Sequence, residues 1–249
     1  MARYKNIDRL VILDADGTTI DAFHAVELAF LHHGMDIGDL DRFQKRRKLF
    51  KFLGGLREFP VNLRRQFGKH SRKQLLETLT EIYRYEACLY PGIESLLRTL
   101  LAAPNIRVGV VTRNVTIHPE ETLKCLFRRH NIDTGEFDFF NCIPIKESKA
   151  AYLKRARASF EINPARSYAC GDEYSDYLAA ISSGIQPVIV AYGFEDFTRL
   201  TNKFGVPDEI ISSTSSEFVS NLLNALNPIG DSHPAIDSAI QNQFVAALI

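Results

Sequence analysis

Two aspartates, Asp14 and Asp16, flank a single alanine and run into Gly17-Thr18. Carboxylates this close repel and push their proton affinities apart. One can then stay ionised as a nucleophile while the other carries a proton. A carboxylate nucleophile that forms an acyl phosphate is a known route for phosphoryl transfer, although such a pair can also merely cap a turn or helix. A second acidic group, Asp172, Glu173 and Asp176, follows Gly171. Spacing of four at a helix start would bring Asp172 and Asp176 to one face. Magnesium takes oxygen ligands and keeps several waters, so two or three carboxylates suffice to hold it. Acids that favour a helix macrodipole are the alternative. Between the two groups, the Thr112 hydroxyl can donate to a phosphate oxygen beside backbone N–H groups of the next turn. Lys149, at a helix start, can neutralise phosphate and Asp14 together, with Lys146 competing for that role. A helix cap for Thr112 and a surface position for either lysine stay open.

These residues need a frame that brings them together, and the chain supplies one. Leu10-Val11-Ile12-Leu13 is a short apolar run, as a strand buried on both faces should be, and it stops at Asp14. Val108 to Val111 stops at Thr112-Arg113-Asn114, Ser167 to Cys170 stops at Gly171-Asp172, and Pro187 to Val190 ends near Tyr192-Gly193. Helical patterns over Ile93 to Leu101, Glu120 to Arg129 and Lys149 to Ser159 separate most of these runs. The alternation predicts an α/β fold with a parallel, Rossmann-like sheet and helices on both faces. In such sheets ligands bind beyond the carboxyl ends of the strands, where three of the four runs place their polar residues.

Residues 22–88 break the pattern: they hold helical stretches such as Gln74 to Tyr85 but no convincing buried strand. From Arg42 to Lys73 there are twelve Lys or Arg and one acid, Glu58. We read 22–88 as an inserted helical cap, 1–21 with 89–227 as the catalytic core, and 228–249 as a tail. Arg42, Lys45, Arg46, Arg47 and Lys48 are either a solvated helix face or a site for a second anionic group on the substrate. Arg57, beside Gly54-Gly55, is a candidate to reach the site.

Thirty Lys and Arg balance thirty Asp and Glu, so no global field argues for nucleic acid or a membrane surface. No apolar run approaches the roughly 18 residues a membrane helix needs, and Met1 to Asp8 lacks the apolar stretch of a secretion signal. A cytoplasmic protein, monomer or homodimer, is expected. Cys88, Cys125, Cys142 and Cys170 form no CxxC pair and are expected as buried, reduced thiols.

The ordered set Asp14-Ala15-Asp16-Gly17-Thr18, Thr112, Lys149 and Gly171-Asp172-Glu173 with Asp176 resembles the haloacid dehalogenase superfamily, over most of Arg9 to about Leu226. Tyr90-Pro91-Gly92-Ile93 is similar to that family's re-entry from cap to core, and the insert is similar to the helical cap of its phosphoglycolate-phosphatase-like branch. The resemblance implies Mg2+ as cofactor, held by Asp14, Asp172 and the Asp16 backbone carbonyl. It implies Asp14 as nucleophile, Asp16 as general acid then base, and Thr112 and Lys149 at the substrate phosphate; Arg113, next to Thr112, is a further candidate to bind the substrate. Asp176 would act beside the metal site or through water. Thr19 stands where this branch usually has an apolar residue, and the Lys-Pro signature before the third helix is missing. Dehalogenases of the superfamily lack an acid at the Asp16 position, so phosphate chemistry is favoured over carbon–halogen cleavage.

The expected function is magnesium-dependent hydrolysis of a phosphate monoester on a small phosphorylated metabolite. The alternatives are mutase-type phosphoryl transfer, phosphonate cleavage, or a phospho-ligand-binding protein without turnover.

Overall fold

The computed structural model describes residues 8–35 and 72–226. Most of the expected basic run, with Arg57, and the tail lie outside the described residues.

Six parallel strands form one sheet: β1 (Arg9–Leu13), β2 (Ile106–Thr112), β3 (Phe139–Cys142), β4 (Ser167–Gly171), β5 (Gln186–Val190) and β6 (Ile211–Ser212), in the order β3-β2-β1-β4-β5-β6. Among the described residues the helices are α1 (Ala22–His32), α2 (Arg72–Tyr85), α3 (Ile93–Ala102), α4 (Pro119–Arg129), α5 (Ala150–Ser159), α6 (Tyr174–Ser182) and α7 (Ser215–Leu226). All five residues of β1 are buried, because helices cover both faces of the central strand. Val11 and Leu13 pack into a cluster with side chains of α1, α2, α3, α4 and α7, whereas Leu10 and Ile12 face α5 and α6. Each fully buried Leu or Ile contributes about 1.5–3 kcal/mol.

Leu13 pairs with Val110 on one side and Cys170 on the other, and the Asp14 N–H extends the ladder to the Cys170 carbonyl at 3.0 Å. The chain leaves β1 toward β2 and β3, then returns to lay β4 on the opposite side of β1. Loops leaving β1 and β4 therefore diverge and open a crevice at the carboxyl edge.

Helix α2 packs on α1 and α4, and its Leu75, Leu79, Ile82 and Tyr83 join the main cluster. The Thr80 hydroxyl accepts from the Ile117 N–H at 2.9 Å, and Arg129 donates to the Ala87 carbonyl.

Two strands escape the pattern of apolar runs. β3 (Phe-Phe-Asn-Cys) is an edge strand whose four residues are all half-buried, and β6 is only two residues long. The cysteines are free thiols as expected, but Cys88 is exposed and only Cys170 is fully buried. No helix among the described residues is long and apolar enough to cross a membrane.

Candidate active site

The loop after β1 folds back on itself. The Gly17 N–H donates to the Ile20 carbonyl at 3.0 Å, and the Thr19 hydroxyl bonds the Asp14 and Ala15 carbonyls at 3.2 and 3.1 Å. The polar residue that replaces an expected apolar one is thus satisfied inside the turn, where it closes the loop that presents Asp14. Gly17 has φ +77°, and a Cβ there would overlap the Asp172 carboxylate. Only glycine combines that conformation with that approach.

Asp14 is 8% exposed. Its Oδ1 accepts from the Ala15 N–H at 2.8 Å, and its Oδ2 lies 2.5 Å from Lys149 Nζ. Lys149 stands at the N-cap position of α5 and is 6% exposed, whereas Lys146 is exposed, so it is Lys149 that reaches Asp14. The ammonium also lies 2.7 Å from Asp176 Oδ1, in ion-pair contact without hydrogen-bond geometry. Burial works against the charge on Lys149, but Asp14 and then Asp176 outweigh it and hold the ammonium above the ordinary lysine value. Burial likewise raises Asp14; Lys149 opposes that rise and Asp176 adds to it.

Asp172 does not share a helical face with Asp176, because α6 begins only at Tyr174. It hangs from the end of β4, held by the Phe194 N–H at 2.5 Å and the Thr18 hydroxyl at 3.5 Å. A Cβ on Gly193 would overlap both Asp172 and the Gly17 carbonyl, so the β5 loop passes here only as glycine. Burial, then Asp14 and Asp176, push Asp172 well above the usual carboxylate range. Asp176 serves two ends: its Oδ2 accepts from the Glu173 N–H at 3.0 Å to cap α6, and its Oδ1 faces Lys149. Glu173 pairs with Arg113 at 2.7 Å, and Ser175 accepts from the same guanidinium at 2.8 Å.

The Asp16 carboxylate points elsewhere. Its Oδ1 accepts from the Tyr83 hydroxyl at 2.9 Å and from Asn114 Nδ2 at 3.1 Å, and its Oδ2 accepts from Asn114 Nδ2 at 2.8 Å. Burial, then the Asp14 charge, push Asp16 up to about 7, although the side chain keeps partial contact with solvent. One carboxyl therefore sits beside an ammonium and the other among neutral donors, the asymmetry that acid–base chemistry requires. Sequence reasoning missed Tyr83 and Asn114 as partners of Asp16. Asn114 ends the Thr112-Arg113-Asn114 turn and carried a signal; a tyrosine on an apolar helix stripe carries none.

Oxygen atoms of Asp14, Asp172 and Asp176 lie within 4.8 Å of one another. Lys149 is the cation in contact with two of these three acids, which leaves two negative charges uncompensated when all are ionised. An all-oxygen, buried, net-acidic group of this kind fits a hard divalent cation. The buried Thr112 hydroxyl lies near Asp14 but makes no hydrogen bond of normal geometry, so it keeps a donor for an incoming oxygen.

No curated protein matches the sequence. The fold is similar to that of a haloacid dehalogenase-like hydrolase from Streptococcus pneumoniae, at 21% identity and TM-score 0.56 over 86% of this chain and 98% of that one. A candidate phosphoglycolate phosphatase from Lactobacillus delbrueckii subsp. bulgaricus gives 18% identity and TM-score 0.58 over 91% and 100%. CbbY from Rhodobacter sphaeroides, in complex with xylulose-(1,5)bisphosphate, gives 18% and 0.56 over 85% and 96%. A second model, for haloacid-dehalogenase-like hydrolases, matches residues 147–215. With the haloacid dehalogenase-like hydrolase model matching residues 11–180, from the first buried strand to the helix after Asp172, the chain belongs to that family.

Proposed function

We propose that this protein hydrolyses a phosphate monoester of a small metabolite through a phosphoenzyme formed on Asp14. The observation that carries this reading is the division of labour between two aspartates: Asp14 lies against the Lys149 ammonium, and Asp16 lies among the neutral donors Tyr83 and Asn114.

Asp14, Asp172 and the Asp16 backbone carbonyl would hold Mg2+, with Asp176 beside them. The cation supplies the positive charge that lets a carboxylate approach a phosphate dianion. Thr112 donates its hydroxyl to a phosphate oxygen. Lys149 holds the Asp14 carboxylate in place and offers its remaining protons to the same phosphate. An Asp14 oxygen bonds to phosphorus as the ester P–O bond breaks, and Asp16 gives its proton to the departing oxygen. Water then attacks phosphorus with Asp16 taking its proton, which frees inorganic phosphate and restores Asp14.

Substrate choice is assigned to the inserted segment, whose described helix α2 reaches the site through Tyr83. CbbY, of similar fold, was solved with phosphate and with a sugar bisphosphate, which supports a small phosphorylated metabolite as the substrate class. A metabolite phosphate panel with Mg2+ tests the proposal, with Asp14→Asn as the blank. The variant should fold normally and lose at least roughly a thousandfold in turnover. Retained activity in Asp14→Asn excludes the nucleophile. Failure of the wild type on the whole panel, with no binding of beryllium or aluminium fluoride, removes the function.

A further inference from the structure

We infer that Tyr83 and Asn114 are positioning residues that hold the Asp16 carboxyl in one orientation for proton transfer to the leaving group. The inference rests on the phosphatase reading above and adds to it which groups aim the acid.

Tyr83 is fully buried and comes from α2, far from Asp16 in the chain. Its place is set by the packing of α2, not by Asp16. One turn earlier Thr80 accepts from the Ile117 N–H, at the next residue Cys125 Sγ meets the Arg84 carbonyl at 3.9 Å, and Arg129 binds the Ala87 carbonyl. Asn114 is oriented in turn, since its Oδ1 accepts from the Thr116 N–H at 2.8 Å and from the Thr116 hydroxyl. That orientation aims its Nδ2 at Asp16. Tyr83 donates to Asp16 Oδ1, and the one Asn114 Nδ2 bridges both oxygens, nearer to Oδ2. Two groups from different elements thus fix the plane of the carboxyl, and lone pairs remain for a proton in transfer.

The test separates aim from packing by the leaving group. An aryl phosphate with a good leaving group needs little protonation, whereas an alkyl phosphate needs it fully. For wild type, Tyr83→Phe and Asn114→Ala, kcat/KM is measured on both esters with Mg2+, and thermal melts are recorded. The expected result is a loss of roughly ten- to a hundredfold on the alkyl ester for each variant, with the aryl ester within about twofold. Equal losses on both esters, or none on either, overturn the inference while leaving the phosphatase reading intact. If Tyr83→Phe does not fold, Asn114→Ala decides by the same criterion. A wild type inactive on both esters removes the parent reading and this one with it.

Discussion

Replacing Lys149 with methionine keeps most of the side-chain volume and removes the ammonium that lies 2.5 Å from Asp14 and 2.7 Å from Asp176. The carboxylates left behind are buried, and Asp172 sits within 4.8 Å of both. Breaking a buried ion pair from one side costs about 3–5 kcal/mol. For a chain of this size that lowers Tm by roughly 10 °C. The loss should depend on pH in one direction. Wild-type Lys149 is held above the ordinary lysine value, so its charge, and the stability that the charge contributes, is lost only at pH above the ordinary lysine range. Without the ammonium, Asp14 loses the charge that opposes its rise and takes up a proton more readily in the folded state. That relief is present at low pH and is lost as pH rises through the new folded value. The variant's deficit should therefore be largest at pH 8 and shrink toward pH 5. Thermal melts in EDTA, so that no cation replaces the ammonium, followed by melts in excess Mg2+, provide the assay. The double variant Lys149→Met with Asp176→Asn should recover part of the deficit. A Tm within about 2 °C of wild type at pH 8 in EDTA, or a deficit that does not narrow on acidification, would refute the ion-pair account.

Two further outcomes follow from the same geometry. Gly17→Ala combines a strained φ of +77° with overlap on Asp172, whereas Gly184→Ala has φ +65° and nothing within 4 Å. Gly184→Ala should thus cost about 1 kcal/mol, and Gly17→Ala distinctly more together with the stabilisation by Mg2+; equal melts for the two variants would contradict the close approach. In EDTA the Asp16 carboxyl, raised to about 7, contributes stability that is present at acid pH and lost as pH climbs through 7, by about 1–2 kcal/mol once its partial solvent contact is allowed for. Denaturant unfolding at pH 5.5 and 8 should show that difference in the wild type against Asp16→Asn, and identical pH slopes would count against it.

Read alone, the sequence marks the four longer strands, because strands inside a sheet covered by helices are mostly apolar, even β5 with its exposed Gln186. It also marks the acids that end two of them, since an open parallel sheet brings those ends to one edge. Asp14, Thr112, Asp172 and Asp176 are legible on that ground, each within a few residues of a strand end, while the lysine is legible only as Lys149 or Lys146 near a helix start. The edge strands are not: β3 is half-buried with an asparagine at its third position, and β6 is two residues long, so neither has a core to demand a pattern. Choosing Lys149 over Lys146 required the helix start to be placed to within a residue, because three positions along the chain separate a side chain under 10% exposed from one in solvent. The partners of the acids lay further still beyond reach. Tyr83 and Asn114 meet Asp16 across 67 and 98 residues, and the Phe194 N–H meets Asp172 across 22. A hydrogen bond donor has no periodicity of its own; only the packing of α2 on α4, and of the β5 loop over Gly17, decides which donor arrives.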